Sequence, residues 1–465
     1  MSRSPGKMIT DLATLMKDLV KEGNEQERYE LSVVTPMFGG GYKTGEIDQL
    51  KPIRESTIRG QLRFWWRATR GAVFGNASEL RKREAEIFGD TLNPSQVIIQ
   101  VSDVEAESVI WYTPGEKKSF IPQYLFQLSK DRDGQVKKIS YISQCTFKLQ
   151  IQWSLQAKRL AESQLEAFQE LQLDVRAALW AWVNFGGLGS RTRRGCGSLY
   201  CKGISPTMKE VSDQGFQRWF DQNIQKYHLV LLPTGQSREW PTLSGQFRIS
   251  TQTKETSKNW NDVIMTYRSF RRRANIRRPI PGRSFWPEAD SIRYITQFSH
   301  PDHKLPFPND KSKQLKAFPR GQFGLPIIFE FKKKSSQDQT RKESEIRNRR
   351  RWEKEPDTTM LVSENGDRLA SPVILKALSY DPKASIGIII VLNHPELKKV
   401  LLKKNSGEKS EILERFSQNE IYPELTYRDN PLQDSEGNHY TSAVAAFLNS
   451  KEVEHFCNPA NPKIT

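Results

Sequence analysis

TFKLQIQWSLQAKRLAESQLEAFQELQLDVRAALWAWVNFGGLGSRTRRGCGSLYCKGI, residues 146–204, is the stretch whose reading decides the fold. In its first ten residues Phe147, Leu149, Ile151 and Trp153 alternate with polar positions. That two-residue period places them on one face of a half-buried strand. Residues 156–185 then read as one long helix, and SLYCKGI closes the stretch as a strand. Upstream, RYELSVVTPMF (28–38) reads as a strand ending near Pro36, followed by a turn at Gly39, Gly40 and Gly41. Residues 41–56 show no period and form a loop. Ser56 is expected to cap a helix running TIRGQLRFWWRATRGAVFG (57–75). A shorter helical stretch at 80–88 and a strand at 95–104 complete the set.

The order is strand, helix, strand, strand, helix, strand. That is the order of the ferredoxin-like split βαβ arrangement, which the RRM shares. The expected class is therefore α+β, with two ferredoxin-like (RRM-type) domains carrying insertions. The expected boundaries are an N-terminal extension at 1–27, a first domain at 28–205 and a second at 206–465. In the second, 227–233 and 246–250 read as strands and 257–275 as a helix. The apolar runs at 323–331 and 384–392 read as strands, and 441–456 as a closing helix. A dense mixed-charge run at 332–356 reads as a solvated insertion.

The chain has 465 residues, 36% hydrophobic and 10% aromatic, which is ample for a globular core. No apolar run approaches the roughly 20 residues that cross a bilayer, and the first residues do not read as a secretory signal. The expected location is the cytoplasm, with no membrane partner. Cys145, Cys196, Cys201 and Cys457 are too few and too scattered for a disulfide framework or a zinc site. No cofactor and no metal are expected. The formal net charge of +17 points to a polyanionic partner.

Two elements concentrate that charge. On a wheel of about 100° per residue, Arg59, Arg63, Arg67 and Arg70 fall within about 80° of one another. Ile58, Leu62, Trp65, Thr69 and Val73 form the apolar stripe, and Trp66 lies at the border. Like charges on one helix face repel. No acidic residue lies between Thr57 and Gly75 to neutralise them within the helix. Phosphate is one natural counter-charge, bound bidentately by arginine, and Trp66 would stack on a base. The other reading pairs these arginines with carboxylates elsewhere in the fold or in a partner protein. Arg54, just ahead of the helix, joins the candidate set.

The second element is Gly186, Gly187, Leu188, Gly189, Ser190, Arg191, Thr192, Arg193, Arg194, Gly195, Cys196, Gly197 and Ser198. Glycines let a backbone approach a ligand closely, and loop N–H groups can cradle phosphate. Candidate RNA contacts here are Gly186, Gly187, Gly189, Ser190, Arg191, Thr192, Arg193, Arg194 and Gly195. The loop lacks GxxxxGK[ST], and it follows a helix instead of opening one. It is neither a P-loop nor a dinucleotide fingerprint. A further cluster, Arg268, Arg271, Arg272, Arg273, Arg277, Arg278 and Arg283, extends the track or forms a solvated face.

TPMFGGG (35–41), IRESTIRGQLRFWWRATRG (53–71), EAEIFGD (84–90) and FGGLGSRTRRGCGS (185–198) resemble the RAMP superfamily of CRISPR proteins. More narrowly, they resemble the first subunit of the type III-B Cmr effector complex. FGLPIIF (323–329) and RLASPVILKA (368–377) fit the same family. The resemblance runs from about residue 28 onward, and RGQLRFWWRA is its most specific part. It implies two ferredoxin-like domains and a place in an antiviral ribonucleoprotein. The implied partners are the CRISPR guide RNA (crRNA), near its 3′ portion, target RNA as a further candidate, and the other Cmr subunits. Target cleavage in such complexes is credited to other subunits.

Some RAMP relatives cleave RNA with a histidine. All six histidines here lie at or beyond His228, and no DxD or ExxE pattern flanks the basic elements. The expectation is a non-catalytic RNA-binding subunit. The alternatives are a RAMP endoribonuclease processing CRISPR transcripts, and an adaptor for an acidic protein.

Overall fold

The computed structural model describes residues 26–116, 120–126, 136–233, 235–275, 283–299, 316–331, 355–364, 366, 368–406, 409–427 and 429–458. Most of the expected N-terminal extension, nearly all of the 332–356 insertion, and Arg277 and Arg278 lie outside the described residues. The fold mixes helices with antiparallel sheets. The chain divides into two compact units: 1–116, 128–231 and 378–385 form one, and 117–127, 232–377 and 386–465 the other.

The first unit is built on a four-stranded sheet. Its strands are β1 (Gln26–Val33), β3 (Val97–Ala106), β6 (Cys145–Trp153) and β7 (Leu199–Cys201), in the order β3-β6-β1-β7. All three pairings are antiparallel, with Leu31 opposite both Phe147 and Cys201, and Ile99 opposite Ile151. The alternation read in β6 holds: Cys145, Phe147, Leu149, Ile151 and Trp153 are all buried. A smaller sheet, β2-β5-β4, pairs β2 (Met37–Phe38), β4 (Ile110–Tyr112) and β5 (Ile139–Ile142). Its strands are too short to show a period.

Helix α1 spans Glu55–Ala68 and α2 spans Ala77–Phe88. Arg54, extended and making no side-chain cap bond, occupies the N-cap of α1. The expected Ser56 cap is therefore incorrect; Ser56 lies two residues beyond the N-cap, inside the first turn, and is exposed. Ile58, Leu62, Trp65 and Thr69 are buried as the wheel required. Val73 is not: the helix ends at Ala68, a 3₁₀ turn covers Arg70–Val73, and the changed rotation leaves Val73 exposed.

The helix expected at 156–185 is two helices, α3 (Leu155–Ser163) and α4 (Leu165–Phe185), because Gln164 leaves the helical region. Ser154 caps α3 by accepting the Ala157 N–H at 3.2 Å. Every residue of α4 from Ala177 to Phe185 is buried, so this half is surrounded by protein. Helix α5 (Asp213–Lys226) follows. The strand expected at 227–233 does not form. The Tyr227 N–H bonds back to Asn223 O, and that of Leu229 to Ile224 O, which ties this segment to the end of α5.

In the second unit, β8 (Thr242–Ile249) is an edge of a sheet ordered β14-β15-β8, with β9 (Lys254–Glu255) also on β15. Here β14 is Val373–Asp381 and β15 is Ala384–Asn393. Helix α6 (Thr256–Arg271) buries Trp260, Val263, Ile264, Tyr267 and Phe270. Strands β10 (Ala274–Asn275) and β11 (Arg283–Ser284) form a two-stranded ribbon, and α7 spans Glu288–Thr296. A separate sheet has the order β12-β13-β16-β17: Ile327–Phe329, Thr359–Ser363, Val400–Ser406 and Lys409–Phe416. The strand expected over 323–331 is shortened to β12. A 3₁₀ turn holds Pro319–Phe323, and Pro326 has no N–H to give a ladder. The closing helix is likewise split into α8 (Ala443–Leu448) and α9 (Lys451–Cys457), with Ser450 capping the second.

Candidate nucleic-acid interface

The candidate site lies in the first unit and starts from Thr35. Its hydroxyl donates to Gly195 O at 2.6 Å and accepts the Ser198 N–H at 2.8 Å. Alongside it, Val34 N–H bonds Ser198 O, Gly197 N–H bonds Pro36 O, and Ser190 N–H bonds Phe38 O, at 2.7–3.0 Å. The segment 34–39 is thus sewn to the glycine-rich loop. Sequence reading left Thr35–Gly41 outside the site; the hydroxyl and three-glycine run carried the only signal, and its partner lies about 160 positions away.

The glycines serve this internal packing. A Cβ at Gly189 would sit 2.4 Å from Phe38 O, and φ there is +79°. A Cβ at Gly186 would meet the Trp65 indole nitrogen, and one at Gly187 the Gly197 carbonyl. Gly186 and Gly187 are buried, so the expectation that they bring backbone to a ligand is corrected: they bring the chain to itself. Several loop N–H groups are similarly spent. Leu188 N–H bonds Gly197 O, Arg194 N–H bonds Arg191 O, and Gly195 N–H bonds Thr192 O.

What the loop presents is side chains. Arg191 is left-handed (φ +59°), Thr192–Arg194 form a 3₁₀ turn, and Gly195 (φ +73°) ends it. Ser190 and Arg191 are exposed; Thr192, Arg193 and Arg194 are half-buried. The Arg193 guanidinium lies 5.6 Å over the Phe64 ring of α1. Burial, reinforced by the charge of Arg194, pushes its pKa down to about 10. A guanidinium in that position is destabilised as a cation.

The arginine stripe of α1 is divided. Arg63 Nε and Arg67 Nη1 both donate to Glu84 Oε1 of α2, at 2.6 and 2.7 Å. Arg70 pairs with Glu170 and, at 3.1 Å, with Asp174 of α4. Arg83 reaches the other Asp174 oxygen at 2.7 Å. Glu84 and Asp174 are 6% and 3% exposed, so these are the buried clamps that the competing reading required. Trp66 is corrected outright: it is 0% exposed and donates its indole N–H to Asp174 at 3.0 Å. It cannot stack on a base. Arg54 pairs with Asp48 at 2.5 Å, and that hydrogen bond holds the Asp48 carboxyl below its ordinary range. Arg59 differs: its Nε is buried and, among the described residues, has no hydrogen-bond partner.

In the second unit, Arg271 lies over Tyr267 and Phe323, Arg272 over Tyr124, and Arg273 over Phe270 while pairing with Glu452. The described residues hold no group of three or more His, Cys, Asp or Glu side chains placed to hold a metal.

Residues 30–200, which contain the whole of this interface, match the family model of the RAMP superfamily. Over that segment the chain is similar to the RAMP superfamily. The chain is also similar to curated proteins of Pyrococcus furiosus. CRISPR system Cmr subunit Cmr1-2 is 28% identical over 189 residues, covering 37% of this chain and 92% of that protein. Cmr subunit Cmr1-1 is 26% identical over 196 residues, covering 42% of this chain and 52% of that protein. Among solved structures, apo Cmr1 from P. furiosus aligns over 83% of this chain and 93% of its own, with 16% identity and a TM-score of 0.40. A chain of the type III-B Cmr-beta complex bound to cognate target RNA aligns over 79% and 94%, with 12% identity and a TM-score of 0.40.

Proposed function

We propose that this chain is a non-catalytic, guide-RNA-binding subunit of a type III-B CRISPR effector of the Cmr kind, acting in the cytoplasm against foreign RNA. Its partners are crRNA, target RNA and the other Cmr subunits. The curated relatives are themselves named as Cmr subunits. The observation that carries the reading is the loop itself. Three arginines within four positions are fixed by a rigid turn, with the Arg193 charge held where burial and Arg194 both oppose it. Backbone phosphates are the polyanion that such a cluster of guanidinium groups binds.

The contact set is led by Ser190, Arg191, Thr192, Arg193 and Arg194, with Arg54 and Arg59 at the start of α1. Arg63, Arg67 and Arg70 keep N–H groups beyond those given to Glu84 and Asp174, since a guanidinium has five. Gly186, Gly187, Gly189 and Gly195 act by shaping the loop. Tyr42, 89% exposed and three residues beyond the segment sewn to that loop, takes the stacking part for which Trp66 was expected. The strand order β3-β6-β1-β7, two outer strands flanking the β6-β1 pair, supports a ferredoxin-like reading of domain 28–205. The second domain, 206–465, distributes its strands over two larger sheets and a two-stranded ribbon, and its ferredoxin-like part is the β8-α6-β14-β15 set.

The test is binding of single-stranded RNA by the full chain with Arg191→Glu and Arg194→Glu. Loss of binding with an unchanged melting temperature is expected; parent-like binding would refute the loop assignment. Cleavage of repeat RNA by the purified chain would favour the endoribonuclease instead.

A further inference from the structure

Lys51, Arg54, Arg59 and Arg63 line one cleft of about 520 Å³ at the start of α1, together with Glu55 and Gly60. Three of the four cations have carboxylate partners: Lys51 with Glu55 at 2.8 Å, Arg54 with Asp48, and Arg63 with Glu84. Arg59 supplies the odd charge. Its Nε is shut away from water and unsatisfied among the described residues. That nitrogen is closed to the cleft, so a ligand there would be met by the terminal guanidinium nitrogens of Arg59, which lines it. Gly60, beside Arg59, leaves the cleft open: a Cβ built there would meet nothing within 4 Å. A helical glycine is itself unfavourable, which is consistent with space being kept for a ligand.

We infer that this cleft is a phosphate-binding site, distinct from the arginine loop, with Arg59 as its principal donor and Lys51, Arg54 and Arg63 as its walls. Paired guanidinium and ammonium groups still carry spare N–H donors, so the walls need not break their ion pairs to bind. The volume lies within the roughly 300–1,000 Å³ of small-ligand sites, enough for a nucleotide around the phosphate. That the phosphate belongs to RNA rests on the function proposed above. The group is either an internal phosphodiester or a terminal phosphomonoester.

Three short unstructured RNAs of one sequence distinguish these sources: hydroxyl-ended, 5′-phosphorylated and 3′-phosphorylated. Each is titrated against the full chain, Arg59→Met and Lys51→Met. Arg59→Met is expected to lower affinity at least about tenfold, the weight of one charge-assisted bond. Its melting temperature without RNA should equal or exceed that of the parent, since the donor it removes is unsatisfied. Lys51→Met, on the exposed rim, should lower affinity in the same direction without any folding risk. Equal loss for all three RNAs assigns an internal phosphodiester; loss confined to one phosphorylated RNA assigns that end. If both variants bind all three RNAs like the parent while Arg194→Glu loses them, the cleft inference is overturned and the RNA reading stands. If Arg194→Glu also binds like the parent, the RNA reading falls with it.

Discussion

At the residue scale, Asp174 joins the most elements. One buried carboxylate accepts from Trp66 and Arg70 of the α1 region and from Arg83 of α2, while belonging to α4. Asp174→Ala leaves two guanidinium groups and an indole N–H facing a void. The expected cost is about 3–5 kcal/mol, read as a lowered urea midpoint. Gly189 is the second test of packing. Gly189→Ala forces a side chain into a left-handed backbone and against Phe38 O, so the melting temperature should fall. Tyr42→Ala touches neither the core nor the loop bonds. It should leave stability unchanged and weaken single-stranded RNA binding by about 1–3 kcal/mol, measured by titration. These three outcomes separate residues that hold the site from a residue that uses it.

At the element scale, legibility followed how local the cause was. Strand β6 was readable because its alternation is a property of nine adjacent residues. The buried stripe of α1 was readable for the same reason, from Ile58 to Thr69. The fate of the arginines was not. Arg63 finds Glu84 from 21 positions away and Arg70 finds Asp174 from 104, so periodicity within the helix carried no sign of either. The same blindness promoted Trp66 from core to surface: the wheel gives an angle, and the depth of the neighbouring helices decides exposure. Residues 156–185 read as one helix because their apolar pattern persists across Gln164, and only the backbone geometry there reveals two. The break gives Ser154 its role as the cap of a separate short helix. Ser154→Ala should cost about 1 kcal/mol in urea unfolding.

At the scale of the whole molecule, the net charge of +17 was the first pointer to a polyanion, but total charge does not locate a site. The fold removes much of the basic surface from consideration by pairing it: Arg63, Arg67, Arg70, Arg83, Arg273 and Arg320 all meet carboxylates. The candidate contacts are the turn at Thr192–Arg194 and the cleft beside Arg59. The most direct test of RNA backbone binding there is the salt dependence of affinity for single-stranded RNA, for the full chain and for Arg191→Gln with Arg194→Gln. Each phosphate contact contributes about −0.7 to the slope of log K against log salt. A slope shallower by about 1.4 in the double variant, with melting temperature unchanged, is the expected result. An identical slope in both proteins would contradict the account.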